Sequence, residues 1–206
     1  MLDHILLGCN DLDWGIAFVE ERTGVRAAVG GVHPGRGTRN ALLSLGERHY
    51  MEIIAPDPAQ ASVSGKRVNE LRQLKSPRLV GWAAHVTDID GFAKRLRSTG
   101  ITVEGPLPGS RKRPDGRMLN WKTLDTLDDR YGLIPFFIEW SADSVHPSAD
   151  APKGCGLESF AAVDPKSAEL GNMFVQLGLD VPVEKGDKPE LRAWIAGPKG
   201  KLELTS

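Results

Sequence analysis

Three carboxylates stand inside short apolar runs of strand-forming residues: Glu52 in "MEIIAP" (51–56), Glu139 in "FFIEWS" (136–141) and Glu203 in "KLELTS" (201–206). A charge turned toward a core is costly unless it is paired, hydrogen-bonded or bound to a metal. One such residue is ordinary, because alternate positions of a strand face opposite sides and every second one can meet water. Three at matching places point to a repeat, and to a site in which a carboxylate does chemistry.

The elements that must position these acids recur three times. "DHILLGCNDLDWGIAFVEERTGV", "GWAAHVTDIDGFAKRLRSTGI" and "LESFAAVDPKSAELGNMFVQLGL" each read as a strand, a turn and a helix. An Asp follows each strand (Asp11, Asp88, Asp164), and Asp or Pro chemistry opens each helix. Apolar stripes such as Phe92/Leu96 and Leu170/Phe174/Leu177 run along the helices, and Gly24, Gly100 and Gly178 end them. Three strand-like segments follow each helix, so the unit is βαβββ and the fold class is α+β with repeated βαβββ units. Units one and two span 1–57 and 78–143, joined by a linker, 58–77, with a short helix near Val68 to Leu74; unit three spans 155–206. The loops "HPGRGTRN" (33–40) and "RPDGRMLN" (113–120) correspond, pairing Pro34 with Pro114 and Asn40 with Asn120.

Composition bounds the function classes. The 206 residues are 40% hydrophobic and 26% charged, enough apolar mass for a real core. Lys+Arg 26 against Asp+Glu 27 leaves a net charge of −1, which gives no electrostatic case for nucleic acid or for an anionic membrane. Cys9 and Cys155 form neither a metal-ligand spacing nor a disulfide framework, consistent with a reducing cytoplasm. No run approaches the roughly 20 apolar residues of a membrane helix.

The tandem units, the opening "DHILLGCNDLD" and the segments "HPGRGTRNALLSLGERHYMEIIAP" and "IPFFIEWS" resemble the glyoxalase-like domain proteins of the vicinal oxygen chelate superfamily. The resemblance implies that units one and two curl into a half-open barrel around a small substrate and a single divalent ion (Zn, Ni, Mn or Fe). Carried over singly, His4, Glu52 and Glu139 match ligand positions of its metal-dependent members. The fourth position departs: it falls on Gly81 or Trp82, and His85 replaces it only if its strand carries a bulge. Around that site His33, Arg36 and Arg117 offer donors to a carboxylate or enolate, Asn40 and Asn120 orient a carbonyl, and Trp121 and Trp140 supply apolar walls.

Two functions follow from the resemblance. One is a metal-dependent lyase or isomerase in which Glu139 or Glu52 shuttles the proton. The other is a metal-free protein that binds or sequesters a small molecule in the same cleft. Unit three, with Phe160, Ala162, Trp194, Leu202 and Leu204, has no partner unit, which predicts a homodimer through its uncovered face or packing against the linker.

Overall fold

A computed structural model describes residues 1–113 and 115–206. The Pro34–Pro114 correspondence therefore lies in part outside the described residues. Unit one contains β1 (Leu2–Gly8), α1 (Leu12–Thr23), β2 (Ala28–His33), β3 (Thr38–Gly46) and β4 (His49–Pro56). A linker helix, α2 (Lys66–Gln73), leads to β5 (Arg78–His85), α3 (Ile89–Ser98), β6 (Val103–Lys112), β7 (Met118–Thr126) and β8 (Phe136–Trp140) of unit two. One turn, α4 (Pro147–Asp150), precedes β9 (Gly156–Asp164), α5 (Ser167–Leu177), β10 (Val183–Lys185), β11 (Glu190–Gly197) and β12 (Gly200–Thr205) of unit three.

The helix boundaries follow from local chemistry. Asp11 accepts from the Trp14 amide at 2.8 Å, and Asp88 accepts from the Gly91 amide at 3.0 Å, so each caps otherwise unpaired N–H groups. Gly24 ends α1 at φ 81° and Gly178 ends α5 at φ 70°, a left-handed turn that costs glycine little.

Units one and two share one eight-stranded sheet, ordered β2-β3-β4-β1-β5-β8-β7-β6. Their first strands, β1 and β5, pair antiparallel at its centre, and each also pairs parallel with the last strand of its own unit. Alternation along the strands sorts the side chains. Ile5, Leu7, Leu43, Met51, Ile53, Trp82 and Phe137 turn outward onto the helices. His4, Leu6, Asn40, Glu52 and Ile138 turn inward, onto the concave face. The linkers close the ends of this concavity. Leu71 of α2 and the adjacent Leu74 pack with Leu6, Ile54 and Val80 at one end, and Ala151 packs with Leu42, Tyr50 and Trp140 at the other.

Unit three repeats the order of elements but not the order of strands. Its sheet runs β10-β9-β11-β12, with its first strand inside and its last strand at the edge. Its apolar face is covered within the chain. Phe160, Ala162, Leu191, Ile195, Leu202 and Leu204 share one buried cluster with Ile5, Ile16, Trp82 and Phe137. Phe160 meets the Trp82 ring edge-on at 5.4 Å, and the Lys199 amide donates to the Thr23 carbonyl at 3.1 Å. The uncovered face that motivated a homodimer is therefore filled by the outer side of units one and two, not by the linker. Trp194 lies on the other side of its strand from Ala193 and Ile195 and is only half-buried. Glu203 is exposed on the edge strand. No helix among the described residues is long and apolar enough to cross a membrane.

Candidate functional site

A cleft of about 260 Å³ opens on the concave face between units one and two. Unit one supplies its polar floor. Glu52, only 8% exposed, accepts from the Asn40 amide at 2.7 Å and lies 3.5 Å from His4 Nε2 and 3.6 Å from His33 Nε2. His4, 2% exposed, contacts Asp3 Oδ1 through Nδ1 at 2.7 Å, and its ring stacks on Tyr50 with centroids 4.4 Å apart. Asp3, His4 and Glu52 thus form a buried line from the end of the barrel into the cleft.

Consecutive strand residues normally point to opposite faces, so Asp3 and His4 ought not to meet. A bulge in β1 resolves this. Leu2 pairs with Ala84 and His4 with Ala83, which leaves Asp3 as the extra residue and turns its side chain to the cleft side. There Asp3 Oδ2 accepts from Trp140 Nε1 at 3.1 Å and lies 3.2 Å from His146 Nε2.

Electrostatics follow from these contacts. Burial works against charge on His4, yet Asp3 and Glu52 outweigh it and lift the imidazole to about 9. Burial would raise Glu52, but His4, the charge of His33 and the Asn40 donor bring it down to about 2. Asp3 is held well below the usual carboxylate range against its burial by His146 and His4. Burial keeps His33 below the ordinary histidine value despite Glu52. Tyr50 is raised well above its ordinary value by burial and by Asp3 and Glu52, so it stays a neutral phenol.

Unit two supplies an apolar stretch of wall, with Thr123 and Asp125 of β7 beside it. Phe136, Ile138 and Trp140 of β8 face the cleft, as does Trp121, whose ring centroid is 5.6 Å from that of Trp140. One unit-two cation crosses over. Arg111 of β6, 4% exposed, donates through Nη1 to the Gly30 carbonyl of β2, where the two edge strands approach and close the barrel. Gly30 and Gly31 make this crossing possible. A Cβ on Gly30 would sit 2.4 Å from Asn40 Oδ1, and one on Gly31 would sit 3.1 Å from the Lys112 carbonyl.

The structure brings together His4, Glu52, His33, Arg36, Asn40, Trp121 and Trp140 around the cleft. Four expected residues lie elsewhere. Glu139 points to the opposite face, since its strand alternates Phe136, Ile138 and Trp140 inward. The register is fixed by Phe137, which is 1% exposed and packs on Phe92 at 4.5 Å on the helix side. Asn120 sits one residue out of phase with Trp121, its backbone N–H donating to Ser144 Oγ at 2.9 Å. Arg117 is at the exposed hairpin tip, paired with Asp115 at 2.7 Å and Asp150 at 3.2 Å. His85 pairs with Ile138 and shares its face, but it sits at the end of the strand, 3.9 Å from Asp3 and away from Glu52. Its strand does carry a bulge, at Val80, beyond which Ala83 and His85 take the side of Phe136 and Ile138, but His85 stays at the strand's end. Sequence reasoning missed Asp3, Tyr50, Arg111 and His146. The "GG" at 30–31 inside a strand was the available signal for the Arg111 approach.

These placements bear on the ion that the fold family implies. A shared metal site needs donors from both units, and unit two offers Phe136, Ile138 and Trp140 where its donors would stand. Among the described residues no group of three or more His, Cys, Asp and Glu side chains is arranged to hold a metal ion. The donor set does not fit.

A family model described as a glyoxalase-like domain matches residues 2–178. The chain belongs to the glyoxalase-like domain family. The match runs past unit two through α5, so the family's domain takes in the start of unit three. A crystal structure of a hypothetical protein from Staphylococcus aureus superposes with TM-score 0.69 at 18% identity, covering 99% of this chain and 84% of that one. The three-unit arrangement of this glyoxalase-like protein is therefore a shared fold. A methylmalonyl-CoA epimerase in complex with methylmalonyl-CoA and NH4+ reaches TM-score 0.50 at 22% identity over 69% of this chain and 96% of its own. A hypothetical protein from Bacillus halodurans also reaches 0.50, at 14% identity, over 70% of this chain and 96% of its own. Identities this low establish the fold alone. No curated protein matches the chain.

Proposed function

We propose that this glyoxalase-like protein binds a small oxygenated molecule in the cleft between units one and two, without a resident metal ion. One observation carries this reading: His4, His33, Asn40 and Glu52 of unit one face an apolar stretch of unit two formed by Trp121, Phe136, Ile138 and Trp140. A ligand with one oxygenated end and an apolar body matches that division. The proton-shuttle role expected of a carboxylate fits less well. Glu52 at about 2 is a weak base at neutral pH, and His4 at about 9 already holds its proton.

A second reading rests on that same imidazolium. His4 presents Nε2 toward the cleft while Asp3 fixes Nδ1, an arrangement suited to donating a hydrogen bond to a carbonyl oxygen that gains charge in an isomerase or lyase step. The deciding experiment is a thermal-shift and turnover screen of small keto acids, hemithioacetals and catechols, each with and without Ni²⁺, Zn²⁺, Mn²⁺ or Fe²⁺. Stabilisation by a ligand, no stabilisation by metal alone and no turnover is the expected pattern. Metal-dependent turnover would overturn the first reading, and metal-independent turnover lost in His4→Gln would establish the second.

A further inference from the structure

The cleft holds a cation with no ion-pair partner among the described residues. Arg111 is 4% exposed and lines the cavity, and the hydrogen bond it makes among those residues goes to the neutral Gly30 carbonyl. Among the described residues no carboxylate lies within ion-pair distance of its guanidinium; Glu52 acts on it only through longer-range attraction. A buried charge without a partner is expensive, and a guanidinium offers five N–H donors in a rigid fork. The other arginines near the cleft differ. Arg67 is paired with Glu70 at 3.0 Å, and Arg113 with Asp150 at 2.7 Å, whereas Arg36 stands exposed at the mouth.

We propose that Arg111 is the anchor for a carboxylate on the ligand, and that the ligand is a small aryl or aralkyl carboxylic acid whose ring lies against Trp121, Trp140 and Phe136. This rests on the cleft being the ligand site. Of the two carboxylates that line the cleft, Glu52 is offset by His4 lying against it and by the Asn40 donor, and Asp125 by the charges of Arg36 and Arg67. A planar carboxylate matches the guanidinium fork, and bidentate pairing gives direction as well as energy. Size sets the rest. A cavity of about 260 Å³ lies below the roughly 300–1,000 Å³ of pockets that enclose drug-sized ligands, so it suits one ring and a short acid arm. Tilted aromatic rings on the far wall favour a flat apolar body over a polyol.

The test compares matched acids and amides by isothermal titration calorimetry on the full chain: benzoate, phenylacetate and 3-phenylpropionate against their carboxamides. At least one acid is expected to bind ten-fold or more tightly than its amide. In Arg111→Gln that ratio should collapse to within about three-fold, and Arg111→Lys should recover only part of it, because an ammonium lacks the fork. Melting curves of both variants report whether the barrel still closes, and the comparison of acid with amide in the unaltered protein needs no variant. Equal binding of acid and amide overturns the carboxylate anchor but leaves the cleft as a ligand site. An acid preference that persists in a folded Arg111→Gln protein also overturns it. If neither acids nor amides bind at millimolar concentration, the ligand-site reading falls and the anchor falls with it.

Discussion

His4 and Glu52 make the cleft a pH-sensitive part of the protein, and the signs can be worked out from their contacts. The His4 pKa rises on folding from 6.5 to about 9, so its stabilisation is fully present below pH 6.5 and is lost as pH climbs through about 9. The Glu52 pKa falls from 4.5 to about 2, so its contribution is present above pH 4.5 and is lost as pH drops through about 2. His33 is lowered, so its burial as a neutral ring weakens stability as pH falls below 6.5. Urea denaturation midpoints are expected to decline between pH 6.5 and 9, and the decline should shrink in His4→Gln. Imidazole NMR should show one histidine titrating well above 8, and Asp3→Asn should bring it down, since Asp3 accepts from Nδ1 at 2.7 Å. Glu52→Gln leaves the charged His4 with one anionic neighbour fewer and is expected to cost about 1–3 kcal/mol at pH 6. An unchanged histidine titration in Asp3→Asn would refute this account of the dyad.

At the scale of single elements, alternation and its interruptions decide which side chains meet. The bulge at Asp3 sets two neighbouring residues on the same side, whereas the uninterrupted β8 holds Glu139 away from the cleft. Glu139→Gln is therefore expected to change stability by no more than about 0.5 kcal/mol and to leave ligand affinity unaltered. A tenfold loss of affinity in that variant would show that the register assigned to β8 is wrong. The close approach of β2 and β6 gives the opposite expectation for Gly30→Ala. The added methyl would meet Asn40 Oδ1 at 2.4 Å and Arg111 Nη1 at 3.1 Å. Overpacking of this kind costs about 1–3 kcal/mol, and it should also weaken ligand binding by displacing both groups. Melting temperature and calorimetry on the same sample separate the two effects.

The largest hydrophobic cluster runs through all three units, and unit three completes it. Trp82, fully buried, touches Phe160 at 5.4 Å and Phe174 at 6.0 Å, and its indole N–H donates to the Leu133 carbonyl at 2.9 Å. Phe160→Ala removes a ring from this junction and is expected to cost about 3–5 kcal/mol. Because the core is continuous, unfolding should be one cooperative calorimetric transition before and after the substitution. Two resolved transitions would show that unit three unfolds independently of the rest. Trp194→Asp, on the outer side of the same sheet, should cost much less than Phe160→Ala.

By itself the sequence determined the elements and their repetition. Helix caps such as Asp11 and Asp88, the glycines that end the helices, and the period of the strands are local signals, and each acts within a few residues of where it is written. His4 and Glu52 were legible as a pair through the family resemblance, whose ligand positions fall on the first and last strands of a unit; the structure sets those strands side by side, with His4 opposite Tyr50 and Glu52 opposite Leu6. The tertiary structure alone decided the rest. Whether Glu139 faces in or out depends on a one-residue register that Phe137 fixes by packing on Phe92, a contact 45 positions apart. Asp3 joins His4 only because β1 bulges against β5, about 80 residues away, and Arg111 reaches the cleft only because the sheet curls until its two edge strands touch. Unit three carries the same elements as its siblings, yet its strands pair in another order and its apolar face closes the core. Register, bulges and the covering of faces are set by contacts between distant segments, which no local pattern encodes.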